Sequence, residues 1–328
     1  MTGYRINYTS WKRILWSLFE WHNETINIWS HLLGFIAFFI ILLVLGFSDI
    51  GENIDPNRTL SGAHAFLMQP HDWNFGLIKS QQNELSSVLS TIEQSLFAEQ
   101  IKNGAYKPVF HTGFKHSEDV SKWPIVAFLI TALCCLGCST MCHWFWAKNC
   151  KLCNVFTCLD YWGITLLIMG TSYPFISYRY ACGYLIVWRY IFVIILTICT
   201  TLCMVVTVNP TFLKDLPKMI LFCSFGIFCF VPTLVLYIID DPDYGLKPGM
   251  APLSWGVLCY LVGMAFFAAK FPERMTKSGR FDNFLQSHNI HHICVLLGLT
   301  FSLLESFDVY QQRLNFVCPA EPDAQPDF

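Results

Sequence analysis

The chain has 328 residues, 54% of them hydrophobic and only 13% charged, with a formal net charge of −2. Soluble domains carry about 25% charged residues and disperse their apolar positions in amphipathic patterns; here apolar residues gather in blocks of about 20, the length that crosses bilayer hydrocarbon, which excludes an ordinary soluble enzyme. No basic face is present, which excludes a nucleic-acid partner.

The N-terminal arm, residues 1–27, carries Arg5, Lys12 and Arg13 but no short apolar stretch with a small-residue cleavage site. The first span is therefore expected to act as its own insertion signal. Within the arm, Trp11, Ile14, Leu15, Leu18 and Phe19 repeat at helical spacing, with Lys12 and Arg13 off the stripe. Two readings stay open: a short helix lying on the membrane surface, or a continuation of the first span.

Seven apolar runs follow: Ile28–Phe47, Pro124–Cys142, Val155–Tyr173, Tyr184–Val208, Met219–Ile239, Leu253–Phe271 and His288–Leu304. Strands are excluded because an open sheet edge leaves backbone groups unsatisfied in lipid. The predicted fold is an all-α membrane protein, a seven-transmembrane helix bundle over residues 28–304. A long polar loop, residues 48–123, separates the first two spans, and residues 305–328 form an irregular tail. The loop holds the triplet Asn57-Arg58-Thr59, of glycosylation type, and an amphipathic helix is predicted around Leu85, Val88, Leu89, Ile92 and Leu96.

Basic residues set the expected orientation. Arg5, Lys12, Arg13, Lys148, Lys151, Lys214, Lys218, Lys270, Arg274, Lys277 and Arg280 fall on one side, whereas the short segments opposite hold only Arg179, Lys247 and Arg313. The N-terminus is thus expected in the cytosol and the C-terminus on the opposite side, the reverse of a G-protein-coupled receptor. There are 15 cysteines, most inside apolar runs, where a thiol behaves as a small hydrophobe. No disulfide framework is read from them, and Cys150-Lys151-Leu152-Cys153 is read as an ordinary loop.

Polar residues near the membrane are the expected seat of function. Glu24, Asn27 and His31 open span one; Ser139 and His143 close span two; Asp160 lies near the start of span three; His288 and His292 open span seven. Because alternate spans run in opposite directions, all four clusters fall at one membrane level, on the cytosolic side. His288 and His292 are four apart and share a helix face, as do Ser139 and His143. Three neutral imidazoles with one open position describe a catalytic zinc site. Asp160 has the chemistry to hold or deprotonate a water there, since zinc lowers water's pKa from 15.7 to about 7. Glu24, Asn27 and His31, at i, i+3 and i+7, read as an interhelical hydrogen-bond patch. His291 reads as interfacial, and His22, His64, His71, His111 and His116 are given no role.

Four ordered motifs resemble one known family. Glu24-Thr25-Ile26-Asn27-Ile28-Trp29-Ser30-His31-Leu32-Leu33-Gly34 resembles the first-span signature of the progestin and adipoQ receptor family, also called the haemolysin III-related family. Ser139-Thr140-Met141-Cys142-His143 is similar to its S-x-x-x-H element, Leu159-Asp160-Tyr161-Trp162-Gly163-Ile164 to its L-D-Y-x-G-I element, and Ser287-His288-Asn289-Ile290-His291-His292 to its S-H-x-x-x-H element. The resemblance implies zinc on His143, His288 and His292, Asp160 acting through water, and the family serine at Ser139. It implies a zinc-dependent hydrolase of a lipid amide, ceramide-like in its adiponectin-receptor branch. The rival expectation is a receptor with structural zinc for a steroid, another small lipid or an extracellular protein, in the plasma membrane or an endomembrane. A transporter is disfavoured because broken mid-membrane helices and repeats are not apparent. The chain departs from the family pattern in its long first loop, in Cys142 in place of an aromatic, and in the additional His291.

Overall fold

A computed structural model of the chain describes residues 4, 5, 8, 10–48, 120–208, 214–239, 251–275, 279–314, 316 and 318. The chain divides into two units, residues 1–47 with 118–328, and residues 48–117. All of the second but Ser48 lies outside the described residues, and with it Asn57 and the amphipathic helix predicted near Leu85.

The described residues are helical and contain no strand. The elements are α1 (Trp11–Trp16), α2 (Thr25–Ser48), α3 (Trp123–Phe145), α4 (Cys150–Arg179), α5 (Leu185–Thr207), α6 (Asp215–Phe228), α7 (Val231–Ile239), α8 (Ala251–Ala269) and α9 (Ser287–Leu314). Among the described residues seven segments are long and apolar enough to span a membrane, with α6 and α7 together forming the fifth.

α1 is separate from α2, so the arm does not continue the first span. Ser10 caps its N-terminus by accepting from the Arg13 N–H at 3.2 Å. Only Ile14 is buried, while Trp11, Leu15, Trp16 and the nearby Phe19 are exposed, the apolar outer face expected of an interfacial helix. The Trp144 indole donates to the Ile14 carbonyl at 2.9 Å and fixes α1 beneath the end of α3.

The fifth span is broken rather than continuous. Pro232 has no N–H to offer the Phe228 carbonyl, so the helix stops and restarts. The Tyr180 hydroxyl donates to the Pro232 carbonyl, and the Cys229 thiol approaches the Ile168 carbonyl at 3.8 Å. The last span, the shortest of the predicted runs, is a helix of 28 residues. It extends past Leu304 because its polar outer third, including Glu305, Ser306 and Arg313, is buried against the bundle.

Two further expectations are corrected. Cys150 and Cys153 sit in the first turn of α4, whose Asn149 cap accepts from the Leu152 N–H at 2.9 Å, not in a loop. Cys182 and Cys318 form a disulfide between the residues just after α4 and those just after α9. Their separation of 136 positions hid the pairing, which exists because the bundle brings two helix ends together.

The packing that positions the site is that of α3 on α4. A Cβ on Gly163 would lie 2.9 Å from the Cys135 Cα, so only glycine admits this backbone approach. Gly163 is one turn from Asp160, and Cys135 one turn from Ser139, so the close crossing delivers Asp160 to Ser139. Phe128, Leu129, Ala132, Leu136, Leu167, Leu299 and Phe38 form the core shared by α2, α3, α4 and α9.

Candidate metal centre

The end of α3 and the start of α9 meet at one end of the bundle. His143, His288 and His292 each offer a ligand atom, and these atoms all lie within 4.8 Å of one another. The Nε2 atoms of His143 and His288 face each other at 3.3 Å. Two nitrogens bound to one tetrahedral zinc at 2.0–2.1 Å stand about 3.3–3.4 Å apart, so this pair already has the required separation. A pair at the 4.8 Å limit needs to close by roughly 1.5 Å to share the same ion. The donor set, three imidazoles and no thiolate, fits zinc with an open fourth position.

His143 is oriented by a carboxylate. Its Nδ1–H donates to Glu24 Oε2 at 2.8 Å, which leaves Nε2 for a metal. This is the carboxylate–histidine arrangement that fixes tautomer and ring orientation at zinc sites. Glu24 is itself held: Asn27 Nδ2 donates to Oε2 at 2.8 Å and Asn23 Nδ2 to Oε1 at 2.9 Å. Asn289 Nδ2 on α9 donates to Asn27 Oδ1 at 2.7 Å, so the network joins α2, α3 and α9. The patch on α2 is thus interhelical, and it also reaches a candidate metal ligand.

Burial opposes ionisation of Glu24, but the bonds from His143 and Asn27 outweigh it and hold the carboxyl at about 2. His22, given no role by the sequence, accepts the Glu24 backbone N–H on Nδ1 at 3.1 Å and bonds the Ser17 carbonyl through Nε2 at 3.0 Å. Burial also lowers its pKa from the ordinary imidazole value, so it is a neutral strut. Arg5 closes the end of α3, donating to the carbonyls of Trp144 at 2.7 Å and His143 at 2.5 Å. These carbonyls have no intrahelical partner of their own.

Asp160 comes to the same end from α4. The Ser139 hydroxyl and His143 both lie near enough to its carboxylate to act on it electrostatically. On α9, Ser287 donates through both its N–H, at 2.8 Å, and its hydroxyl to Glu273, which caps the helix that carries His288 and His292. His31 stacks on His292 with ring centroids 3.9 Å apart. His291 packs against Phe267 of α8, at 5.4 Å between centroids, and against Gly263. His288 and His292 both meet His143 of α3, and His288 also touches Phe267 at 5.0 Å, whereas His291 packs on the α8 side.

Glu24 was within reach of sequence reasoning. It lies one helical face with Asn27 and His31, at the same membrane level as His143, and a buried carboxylate needs a partner. His22 and Asn289 carry no such signal.

The chain matches a family model described as haemolysin-III related over residues 19–303. It is similar to heptahelical transmembrane protein 1 of Arabidopsis thaliana, 28% identical with 86% of this chain and 68% of that protein covered. It is similar to heptahelical transmembrane protein 5 of the same plant, 28% identical with 88% and 80% covered. An adiponectin receptor protein of Drosophila melanogaster is 27% identical, with 90% of this chain and 52% of that protein covered.

Proposed function

This chain belongs to the haemolysin-III-related family, and from that premise we propose that it is an integral-membrane, zinc-dependent hydrolase of a lipid amide with a ceramide-like substrate. The observation that carries the reading is the convergence of His143, His288 and His292 beside a carboxylate, Asp160, that belongs to none of their helices. Zinc held by three imidazoles supplies Lewis-acid polarisation of a carbonyl and makes hydroxide accessible near neutral pH. Asp160 is the acceptor for the water's proton, and returns it to the departing amine. Ser139, whose hydroxyl lies near the Asp160 carboxylate, steadies it. Glu24 keeps the Nδ1 proton on His143 and so keeps Nε2 free to bind. The surrounding apolar helices suit an acyl chain entering from the bilayer.

The reading sets the metal end toward the cytosol. Basic residues concentrated at that end support this. So does the Cys182–Cys318 bridge at the far ends of α4 and α9, since disulfides persist in oxidising compartments. A second reading, a receptor with structural zinc and no turnover, is supported by the name of the Drosophila relative.

The deciding experiment measures metal content and ceramide hydrolysis together, for wild type and Asp160→Ala. The hydrolase reading expects both proteins to hold zinc and only wild type to release fatty acid. Bound zinc without Asp160-dependent turnover selects the receptor instead.

A further inference from the structure

His143 and His292 are oriented by different means. His143 has Glu24 on its Nδ1. On His292 the corresponding atom lacks such support: its Nδ1 is buried and among the described residues has no hydrogen-bond partner. A singly bonded imidazole still rotates about its Cβ–Cγ bond, and rotation carries the lone pair off the ion. Something else must hold the ring.

The face of His292 is covered by His31. The two rings stack with centroids 3.9 Å apart and planes inclined by 28°, and both residues are buried, at 4% and 3% exposure. By contrast, His143 meets His292 edge-on, at 74°. A near-parallel ring at stacking distance blocks torsion of its neighbour directly. His31 is itself placed by the α2 network. It lies one turn beyond Asn27, which bonds both Glu24 and Asn289, and Asn289 is on the same helix as His292.

The stack also argues that His31 is not a ligand. A metal lies in the plane of the imidazole that binds it, along the nitrogen lone pair. An ion in the His292 plane sits roughly a stacking distance above or below the His31 plane, off the axis of either His31 nitrogen. The fourth metal position is then left for water or substrate.

We propose that His31 is a positioning residue that holds the His292 ring by its π-face, so that one face of α2 orients two metal ligands: Glu24 by hydrogen bond, His31 by stacking. The proposal rests on the reading of the three histidines as a zinc site. It identifies the ring, not its nitrogens, as the working part of His31.

The test uses the purified full chain and three proteins: wild type, His31→Phe and His31→Leu. Phenylalanine keeps the aromatic face, whereas leucine fills the space without a ring. Zinc affinity is measured by competition with a chromophoric chelator, and ligand geometry by the visible spectrum of the cobalt(II) form. Wild type and His31→Phe are expected to bind zinc alike. His31→Leu is expected to bind about threefold to tenfold more weakly, the value of one aromatic pair, with an altered cobalt spectrum and an unchanged melting point. Equal affinity for His31→Leu and wild type overturns the proposal. So does a His31→Phe protein as weak as His31→Leu, because the nitrogens would then matter. Absence of stoichiometric zinc from wild type is a separate result that removes the metal reading itself.

Discussion

Glu24 and His143 stand 119 positions apart in the chain and 2.8 Å apart in the fold. Through this contact the start of α2 orients a candidate metal ligand on α3. Glu24→Gln removes the charge with little change of shape. It is expected to weaken zinc binding by about 10- to 100-fold with helix content unchanged, as read by chelator competition and circular dichroism. Wild-type affinity in Glu24→Gln would show that His143 is oriented without the carboxylate.

The three imidazoles should act as one unit. His143→Ala, His288→Ala and His292→Ala are each expected to purify with zinc well below one ion per chain. His291→Ala, which alters a ring packed against α8, should retain it. Elemental analysis of the four proteins checks this, and equal metal in all of them would sink the ligand assignment.

Gly163 marks the point where α3 and α4 touch backbone to backbone. An added methyl at 2.9 Å from the Cys135 Cα has no flexible side chain to push aside. Gly163→Ala is expected to cost about 1–3 kcal/mol of stability, seen as a lower melting temperature in detergent. Because Asp160 lies on the same face, hydrolysis should fall by more than the loss of folded protein accounts for. A melting curve identical to wild type would mean that the two helices can separate freely.

The Cys182–Cys318 bridge joins the ends of α4 and α9 that lie farthest from the histidines. Cys318→Ser is expected to lower stability by about 2–4 kcal/mol and to leave zinc content unchanged. Thermal unfolding and metal analysis of the same sample test both halves. Loss of zinc together with stability would show that the two ends of the bundle are coupled.

The class of fold and the neighbourhood of the site were legible in the order of residues alone. Apolar blocks of about 20 residues admit only membrane helices. The alternation of their directions then puts the end of α3 and the starts of α2, α4 and α9 at one level. His143, Asp160, His288 and Ser139 were legible as neighbours for that reason, although scattered over 150 positions. Hydropathy counts apolar content without regard to backbone hydrogen bonds, so it missed the break at Pro232 and the extension of α9 beyond Leu304.

Which side chains touch is set by how the helices pack. A helix face is visible in spacing, but the partner it meets depends on crossing distance and rotation, which small residues such as Gly163 set. The union of Glu24 with His143, the His31–His292 stack, the turn of His291 toward α8 and the disulfide of Cys182 with Cys318 all belong to that level. Each is a contact between residues far apart in the chain, and local periodicity carries no information about such pairs.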